Sequence, residues 1–260
     1  MKKVRLEQIK DSEERRFIKT ILEYSQKGET QNRPFFTDFH NKDWMQTMIN
    51  QYLGDTVKAS CTFFGGYKDA ERQMLGVCPY DLSYQAFPLT VLEVKVKTGI
   101  GKQLSHRDFL GALLGLGIER ETVGDIIIKS FGAYIIIKQD MLPYIRAHLT
   151  CIGKYQNIEI NEIDFEAVSV DPPATKIIQT TVASLRLDVI VAAAFNLSRG
   201  SASQLIQNDR VKCNGVIRGT SQLISQGDFV TVRGYGKMKL QQVNGYTKKD
   251  RLHITIEKYI

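Results

Sequence analysis

Apolar residues in the first third of the chain recur with two different periods. From residue 11 they repeat every three to four positions, which is typical of a helix with one buried face. After residue 56, short apolar runs lie on either side of Gly65-Gly66, which is typical of strands joined by a turn. The pattern predicts helices over residues 11–26 and 41–52 and strands over residues 57–64 and 71–77. We therefore expect a small N-terminal α/β domain spanning residues 1–85.

The middle of the chain predicts six elements in the order βαββαβ. They are strands over residues 89–97, 125–130, 133–138 and 157–165 and helices over residues 105–116 and 139–148. That order is the split-βαβ or ferredoxin-like arrangement, which RNA-recognition domains also use. Such sheets display stacking aromatic side chains on their central strands, and Tyr134 is the one obvious candidate. The sequence predicts an RNA-recognition-like domain over residues 86–168 without establishing that its sheet binds RNA.

A third domain is predicted for residues 174–260. Pro172-Pro173 precedes it, and paired prolines block helix continuation and favour an extended linker. Apolar spacing then predicts a helix from about Ser184 and a second helix that begins after Ser198, a natural N-cap. A hairpin and a further strand follow. The whole chain is therefore expected to be an α+β protein of three small domains.

Several polar positions of this third domain are expected to face outwards. Arg186 and Asp188 lie on either side of a buried position of the first helix. Arg199 lies in the first turn of the second helix, where a cation opposes the helix dipole, and this suggests a use outside the helix, such as a phosphate. Asn214-Gly215 is the strongest short hairpin signal, and Lys212 alternates with apolar neighbours just before it.

The positive charge of the chain is concentrated in this domain. The formal net charge is +7, but residues 174–260 hold 13 Lys and Arg against 5 Asp and Glu, whereas residues 1–173 hold 22 against 23. A focused basic surface raises the affinity for polyanions. Because modestly basic domains also serve solubility, charge alone favours nucleic acid only weakly.

Other function classes find little support in the sequence. No apolar run reaches the roughly 20 residues that a membrane-spanning helix needs, and the N-terminus lacks the apolar core of a signal peptide. We expect a cytoplasmic protein without membrane insertion. The four cysteines, 61, 78, 151 and 213, and the four histidines are scattered, so neither a metal site nor a cofactor is expected. No catalytic constellation can be placed.

Short motifs in the third domain resemble the S-four domain, the RNA-binding module named after ribosomal small-subunit protein four. The matching motifs are residues 186–188, 198–199, 204–206, 211–215 and 227–228. The resemblance implies that RNA meets the face formed by two helices and the hairpin. The residues that this resemblance places at or near the RNA are Arg186, Asp188, Ser198, Arg199, Ser203, Gln204, Lys212, Asn214 and Gly215.

Some of these positions have an alternative explanation. Asp188 is expected to orient its neighbours, since a carboxylate repels phosphate. Ser198, Asn214 and Gly215 are the residue types that cap a helix and form a turn without any ligand. Two positions depart from the S-four pattern: Asp209 replaces a customary glycine and Cys213 a customary valine.

A wider resemblance covers nearly the whole chain. Residues 105–118, together with residues 124–126, look like the middle domain of the YlmH family of bacterial proteins. This resemblance implies a cytoplasmic RNA-binding protein, encoded among cell-division genes, that acts on the large ribosomal subunit. It further implies contacts with ribosomal RNA and transfer RNA during rescue of stalled nascent chains.

Our leading interpretation is a non-enzymatic RNA-binding protein associated with the ribosome. Two alternatives stay open. The first is an RNA-modifying enzyme with its catalytic site in residues 1–165, which would need an exposed Asp or Cys in a deep pocket. The second is a division-related scaffold that binds protein partners through the first domain.

Overall fold

A computed structural model of the chain describes residues 6–55, 57, 60–97 and 104–260. The chain divides into two compact units, residues 1–170 and residues 171–260. Helices and antiparallel sheets occur in both units, which confirms the expected α+β class. The boundary near residue 85 between the first two expected domains stays a prediction.

The first unit contains four of the helices that the structure describes and eight strands. Its helices are α1 (Ser12–Gln31), α2 (Lys42–Tyr52), α3 (His106–Gly115) and α4 (Leu142–His148). Its strands are β1 (Phe35–Phe36), β2 (His40–Asn41), β3 (Cys61–Phe64), β4 (Arg72–Val77), β5 (Leu89–Val96), β6 (Val123–Lys129), β7 (Gly132–Lys138) and β8 (Ile158–Ile163).

The second unit is built on longer strands. Its helices are α5 (Leu187–Phe195) and α6 (Arg199–Gln207). Its strands are β9 (Thr175–Val182), β10 (Val211–Cys213), β11 (Val216–Ile217), β12 (Phe229–Val232), β13 (Gly236–Tyr246) and β14 (Leu252–Tyr259). In the described part of the chain, no helix is both long and apolar enough to cross a membrane.

The N-terminal elements differ in detail from the expected ones. The cap of α1 is Asp11, whose side chain accepts hydrogen bonds from the backbone N–H groups of Glu13 and Glu14, and the helix continues five residues beyond the expected end. The expected strand over residues 57–64 is wrong in its first part. Val57 is helical and β3 begins at Cys61, while residues 58 and 59 lie outside the described residues.

The middle sheet has the expected ferredoxin-like topology. Its strands are antiparallel in the order β6-β7-β5-β8, which is the order that a βαββαβ chain adopts in this fold. One face of the sheet packs against the two helices: Phe109 and Leu113 of α3 and Ile145 of α4 lie against Leu92 and Ile135. The expected βαββαβ unit is therefore confirmed.

The opposite face of this sheet is covered by the N-terminal segment. Tyr134 and Ile136 of β7 are buried in a cluster with Phe39, Met74 and Phe87. RNA-recognition sheets stack bases on this kind of face through exposed aromatic rings. Because Tyr134 is buried under the chain's own residues, it does not offer a stacking surface.

Polar contacts reinforce the junction between the N-terminal segment and the middle sheet. The carboxylate of Asp125 on β6 accepts hydrogen bonds from the Tyr67 hydroxyl at 2.8 Å and from the backbone N–H groups of Glu71 at 2.7 Å and Arg72 at 3.2 Å. The Arg72 guanidinium in turn donates to the Phe39 carbonyl at 2.6 Å. Residues 1–85 and the middle sheet are thus joined by a shared core and by a hydrogen-bond network.

The second unit is a six-stranded antiparallel sheet with two helices on one face. The strand order is β11-β10-β12-β13-β14-β9, and Leu187, Ile190 and Ile206 of the helices pack against Val230 and Ile256 of the sheet. The long strands β9, β13 and β14 were not among the expected elements. β9 pairs with β14 over eight consecutive residues, so the beginning and the end of this unit are adjacent in the sheet.

Candidate nucleic-acid interface

Helix α5 begins three residues later than the sequence suggests. The backbone N–H of Leu187 donates to the Gln222 carbonyl at 2.8 Å, and the N–H of Ile224 donates to the Leu185 carbonyl at 2.9 Å. This short pairing, with a bridge between Arg186 and Leu223, keeps residues 185 and 186 extended just before the helix. Arg186 consequently becomes the N-cap residue of α5, at the edge of the helical surface.

Asp188 is the buried centre of this edge. Its side chain is only 3 % exposed. Its carboxylate accepts hydrogen bonds from Arg186 Nε at 3.0 Å and Nη2 at 3.2 Å, and from Arg199 Nε at 2.9 Å. Asp188 was expected to point outwards, towards the second helix or a ligand. Its carboxylate does contact Arg199 at the start of α6, but two arginines shield it from solvent. The arrangement gives Asp188 an orienting role.

The pKa of Asp188 reflects two opposing effects. Burial by itself would raise the pKa of this carboxyl, but hydrogen bonds from Arg186 and Arg199 outweigh burial and hold the pKa below its usual range. Asp188 is consequently ionised at neutral pH, and it keeps both guanidinium groups in place.

The two arginines remain accessible despite this contact. The Arg199 side chain is 62 % exposed, and Arg186 is partly exposed. A guanidinium carries five N–H donors, and Arg199 directs one of them to Asp188 while Arg186 directs two. The pair therefore presents fixed and partly unused donors on the surface, which is the geometry suited to phosphate oxygens.

Helix α6 carries the next group of expected contact residues. The Ser198 hydroxyl caps the helix by accepting a hydrogen bond from the Ser201 N–H at 3.0 Å, so the capping explanation for Ser198 holds in this structure. Ala202 is buried against the sheet. Gln204 is exposed and Ser203 is partly exposed, which leaves these two side chains on the outer surface of the helix.

The hairpin confirms the predicted turn. Asn214 and Gly215 both have left-handed backbone conformations, with φ of 48° and 76°, as the two central residues of a type I′ turn require. The Asn214 Oδ1 accepts from the Phe229 N–H at 2.8 Å, and its Nδ2 donates to Asp228 at 2.9 Å. Asn214 therefore fixes the hairpin to β12, whereas Lys212 projects exposed from β10.

The two residues that depart from the S-four pattern both fit their local surroundings. Asp209 adopts φ of 54°, a left-handed conformation that glycine favours but that Asp tolerates better than most residues. Cys213 is buried, and burial raises the pKa of its thiol to about 11. The thiol therefore stays neutral and packs as a small apolar side chain.

The sequence reasoning missed two cations on the outer face of the sheet. Cross-strand register places Lys212 beside Thr231 and Thr231 beside Lys237. Lys237 and Lys239 both lie over the Phe229 ring, at 4.7 Å and 5.2 Å from its centre. Alternation of lysine with apolar residues along β13 was the signal that could have found them.

Comparison with known proteins agrees with this geometry. Residues 185–230 match the family described as "S4 domain", and residues 83–167 match "Putative RNA-binding domain in YlmH". The chain is 31 % identical over 254 residues, 95 % of both chains, to the "Ribosome-associated protein quality control protein P2" of Bacillus subtilis. The chain belongs to the YlmH family. A solved structure titled "Cell division protein ylmH from Streptococcus pneumoniae" is 20 % identical and covers 63 % of this YlmH-family chain and 98 % of its own, with a TM-score of 0.49.

One cavity of this YlmH-family protein bears on the enzymatic alternative. Cys61 and Asp69 line a cavity in the first unit. An RNA-modifying enzyme would need such a residue as its nucleophile or its acid. Burial raises the pKa of the Cys61 thiol to about 11, and the thiol donates a hydrogen bond to the Val57 carbonyl at 3.2 Å. A thiol of this kind is protonated at neutral pH and is a poor nucleophile.

Proposed function

We propose that this YlmH-family protein binds structured RNA without catalysing a reaction, through the surface formed by α5, α6 and the β10–β11 hairpin. One observation carries the proposal: the buried Asp188 holds Arg186 and Arg199 in fixed positions at the surface. Most of the Arg199 side chain is exposed, so its guanidinium stays accessible to a phosphate while Asp188 holds it. The matches to two RNA-binding families support the same conclusion.

The proposed place of action is the ribosome. A relative that shares 31 % identity over almost the whole chain is named as a ribosome-associated quality control protein. We extend that role to this chain and assign it the large ribosomal subunit in the cytoplasm, with ribosomal RNA and transfer RNA as ligands. The proposed task is rescue of translation that has stalled, and it requires no cofactor.

The proposed mode of recognition is electrostatic. Arg186, Arg199 and Lys212 are donors suited to phosphate oxygens, and Ser203 and Gln204 add neutral hydrogen-bonding groups beside them. Contacts of this kind position a protein on structured RNA and carry little base information. RNA affinity should therefore fall steeply with salt.

Charge reversal at one exposed lysine tests the proposal. Lys212→Glu should weaken co-sedimentation with purified large ribosomal subunits and lower the slope of log affinity against log salt by about one. Lys248→Glu is the matched control, because it makes the same change in net charge in the turn after β13. That turn lies about 30 Å along the strand from the Lys237 end.

These measurements distinguish an RNA-binding protein from a scaffold that binds proteins. Equal subunit binding by the wild type and Lys212→Glu would overturn the proposed interface. Binding that survives high salt would instead indicate an apolar protein partner, as expected for a scaffold that binds division proteins.

A further inference from the structure

A cavity of about 640 Å³ opens in the first unit, beside the β3–β4 loop. This volume is in the range of small-ligand sites. Its walls come from α2, β3 and the β3–β4 loop, and from two short helical turns, Tyr84–Ala86 and Phe165–Ala167, at the two ends of the middle domain. The cavity is therefore assembled from the N-terminal segment and from the region that matches a putative RNA-binding domain.

Aromatic rings form one wall of this cavity. The rings of Phe64 and Tyr84 stack with centres 4.6 Å apart and an angle of 18° between their planes. Phe165 packs edge-on against Phe64 at 5.2 Å. Tyr84 is 56 % exposed, so one ring face is covered by Phe64 while the other faces solvent. An aromatic face supported from behind in this way is a stacking surface for a planar ligand.

The loop that follows Phe64 is tightly constrained. A Cβ atom at Gly65 would collide with the backbone oxygen of Arg72, and one at Gly66 would lie 3.0 Å from Ile136. Gly66 also has φ of 87°, which glycine adopts without strain. Tyr67 is tied to Asp125 by its hydroxyl. These contacts hold the loop in one conformation beside the aromatic wall.

Carboxamide groups supply the polar part of the cavity. Gln46, Gln73 and Gln85 line it, with Lys42 and Lys68 among the other polar residues. Gln73 is 4 % exposed and donates from Nε2 to the Ala70 carbonyl, but its Oε1 has no hydrogen-bond partner among the residues that the structure describes. The Gln73 carboxamide is therefore enclosed by the protein, whereas Gln46 and Gln85 are exposed and offer their carboxamides to a ligand.

We propose that this cavity binds an unpaired nucleobase. The base would stack on the open face of Tyr84 and form hydrogen bonds with glutamine carboxamides, which match base edges well, while Lys68 contacts its phosphate. The cavity also carries the carboxylates of Asp69 and Glu166. These repel anions, so the cavity favours a ligand with an uncharged base over one that offers only a phosphate. This inference rests on the proposed function, because it assigns a second contact to an RNA-binding protein.

The covered sheet of the middle domain strengthens this assignment. Tyr134, on the face that RNA-recognition sheets use, is buried under Phe39 and Met74. Any RNA contact of the region that matches a putative RNA-binding domain must therefore use other residues. Tyr84 and Phe165 lie at the two ends of that region and line the cavity.

Ligand titration of the full chain tests the inference. The probes are the four nucleoside monophosphates, a five-nucleotide single-stranded RNA, and ribose 5-phosphate as a probe without a base. We expect binding of the RNA or of a nucleotide and no binding of ribose 5-phosphate at the same concentration. Tyr84→Ala should weaken binding about tenfold, in line with the loss of one stacked base.

Two further variants complete the design. Tyr80→Ala is the matched control, because Tyr80 is 48 % exposed, lies four residues away and does not line the cavity; it should bind like the wild type. Gln85→Met should also weaken binding, because it removes an exposed carboxamide of the cavity, and an unchanged thermal unfolding curve would show that the fold is retained. If the RNA binds more tightly than every mononucleotide, the base that the cavity binds belongs to an RNA strand. If the two bind equally well, the ligand is a free nucleotide.

The possible failures are distinguishable. Absence of nucleotide and RNA binding at the cavity, or equal affinity of Tyr84→Ala and the wild type, overturns the cavity inference. If Lys212→Glu still weakens subunit binding in that case, the proposed function stands without it. Crosslinking of RNA containing 4-thiouridine to the peptide around Tyr84 would support the cavity directly.

Discussion

The carboxylate of Asp188 lies 2.9 Å from Nε of Arg199, although Asp188 is buried at the start of one helix and Arg199 is exposed at the start of the next. Arg186 binds both oxygens of the same carboxylate. Residues of two separate sequence motifs thus form one unit. The proposed interface depends on a residue that does not itself need to touch RNA.

Asp188→Asn should weaken both this unit and RNA binding. The variant keeps the side-chain shape but removes the charge that attracts two guanidinium groups, so we expect a loss of about 1–3 kcal/mol in local stability and weaker binding to ribosomal subunits. Hydrogen exchange of peptides from α5 and α6, followed by mass spectrometry, measures the first effect. Asp209→Asn, at an exposed position, is the control and should change neither quantity much.

The lowered pKa of Asp188 fixes the direction of its pH dependence. The folded-state pKa lies below the unfolded value of about 4, so the stabilisation is fully present above pH 4 and is lost as the pH falls through the lowered pKa. The difference in unfolding free energy between the wild type and Asp188→Asn should be constant from about pH 8 to pH 5 and shrink below pH 4. A difference that grows on acidification would contradict this assignment.

Asp125 should show the opposite pH dependence. Burial raises the pKa of Asp125 despite the hydrogen bonds from Tyr67 and two backbone amides, which act to lower it. The folded state therefore binds the proton more tightly than the unfolded state. Between neutral pH and about pH 4, the wild type should gain stability relative to Asp125→Asn as the pH falls.

Fluorescence offers a direct readout of that comparison. Trp44 is the single tryptophan of the chain and lies in α2, in the same unit as Asp125. Urea unfolding followed by its emission at several pH values gives the two free energies. A stability difference that does not change with pH would show that the pKa of Asp125 is not raised.

Part of this architecture follows from local sequence and part does not. Asn214-Gly215 predicted its turn because the conformation depends on two adjacent residues, and short apolar runs predicted β5 to β7. The pairing of β9 with β14 joins residues that are 70 to 84 positions apart. Half of the β9 residues are exposed, so the strand lacks a strong apolar pattern. Long-range partners of this kind are invisible to a local period.

The candidate site shows the same division. The motif order located Arg186, Arg199 and Lys212 on the correct elements, but a pattern of single positions does not reveal that Asp188 is enclosed by two arginines. Tyr134 was a stacking candidate by strand position alone. Its burial depends on Phe39 and Met74, which belong to a segment about sixty to ninety-five residues earlier.

Two substitutions at Asn214 separate its hydrogen bonds from its backbone conformation. Asn214→Gly removes the bonds to Asp228 and Phe229 but tolerates the left-handed conformation, and we expect a loss of about 1–2 kcal/mol in the stability of the second unit. Asn214→Ala should cost about 1 kcal/mol more, because alanine is strained at φ of 48°. Hydrogen exchange of the hairpin peptides measures both losses. Asn244→Ala, an exposed position in β13, is the control, and equal effects of the two Asn214 variants would show that strain contributes nothing.

Cys61 gives a test of the enzymatic alternative. Its pKa of about 11 predicts that alkylation by iodoacetamide is slow at pH 7 and rises about tenfold per pH unit until it levels off near pH 11, since the thiolate is the reactive form. Peptide mass spectrometry measures this rate residue by residue, with Cys151 as an internal comparison at a partly exposed position. Rapid labelling of Cys61 at neutral pH would instead reveal an activated thiol and would favour an RNA-modifying enzyme over the binding protein proposed above.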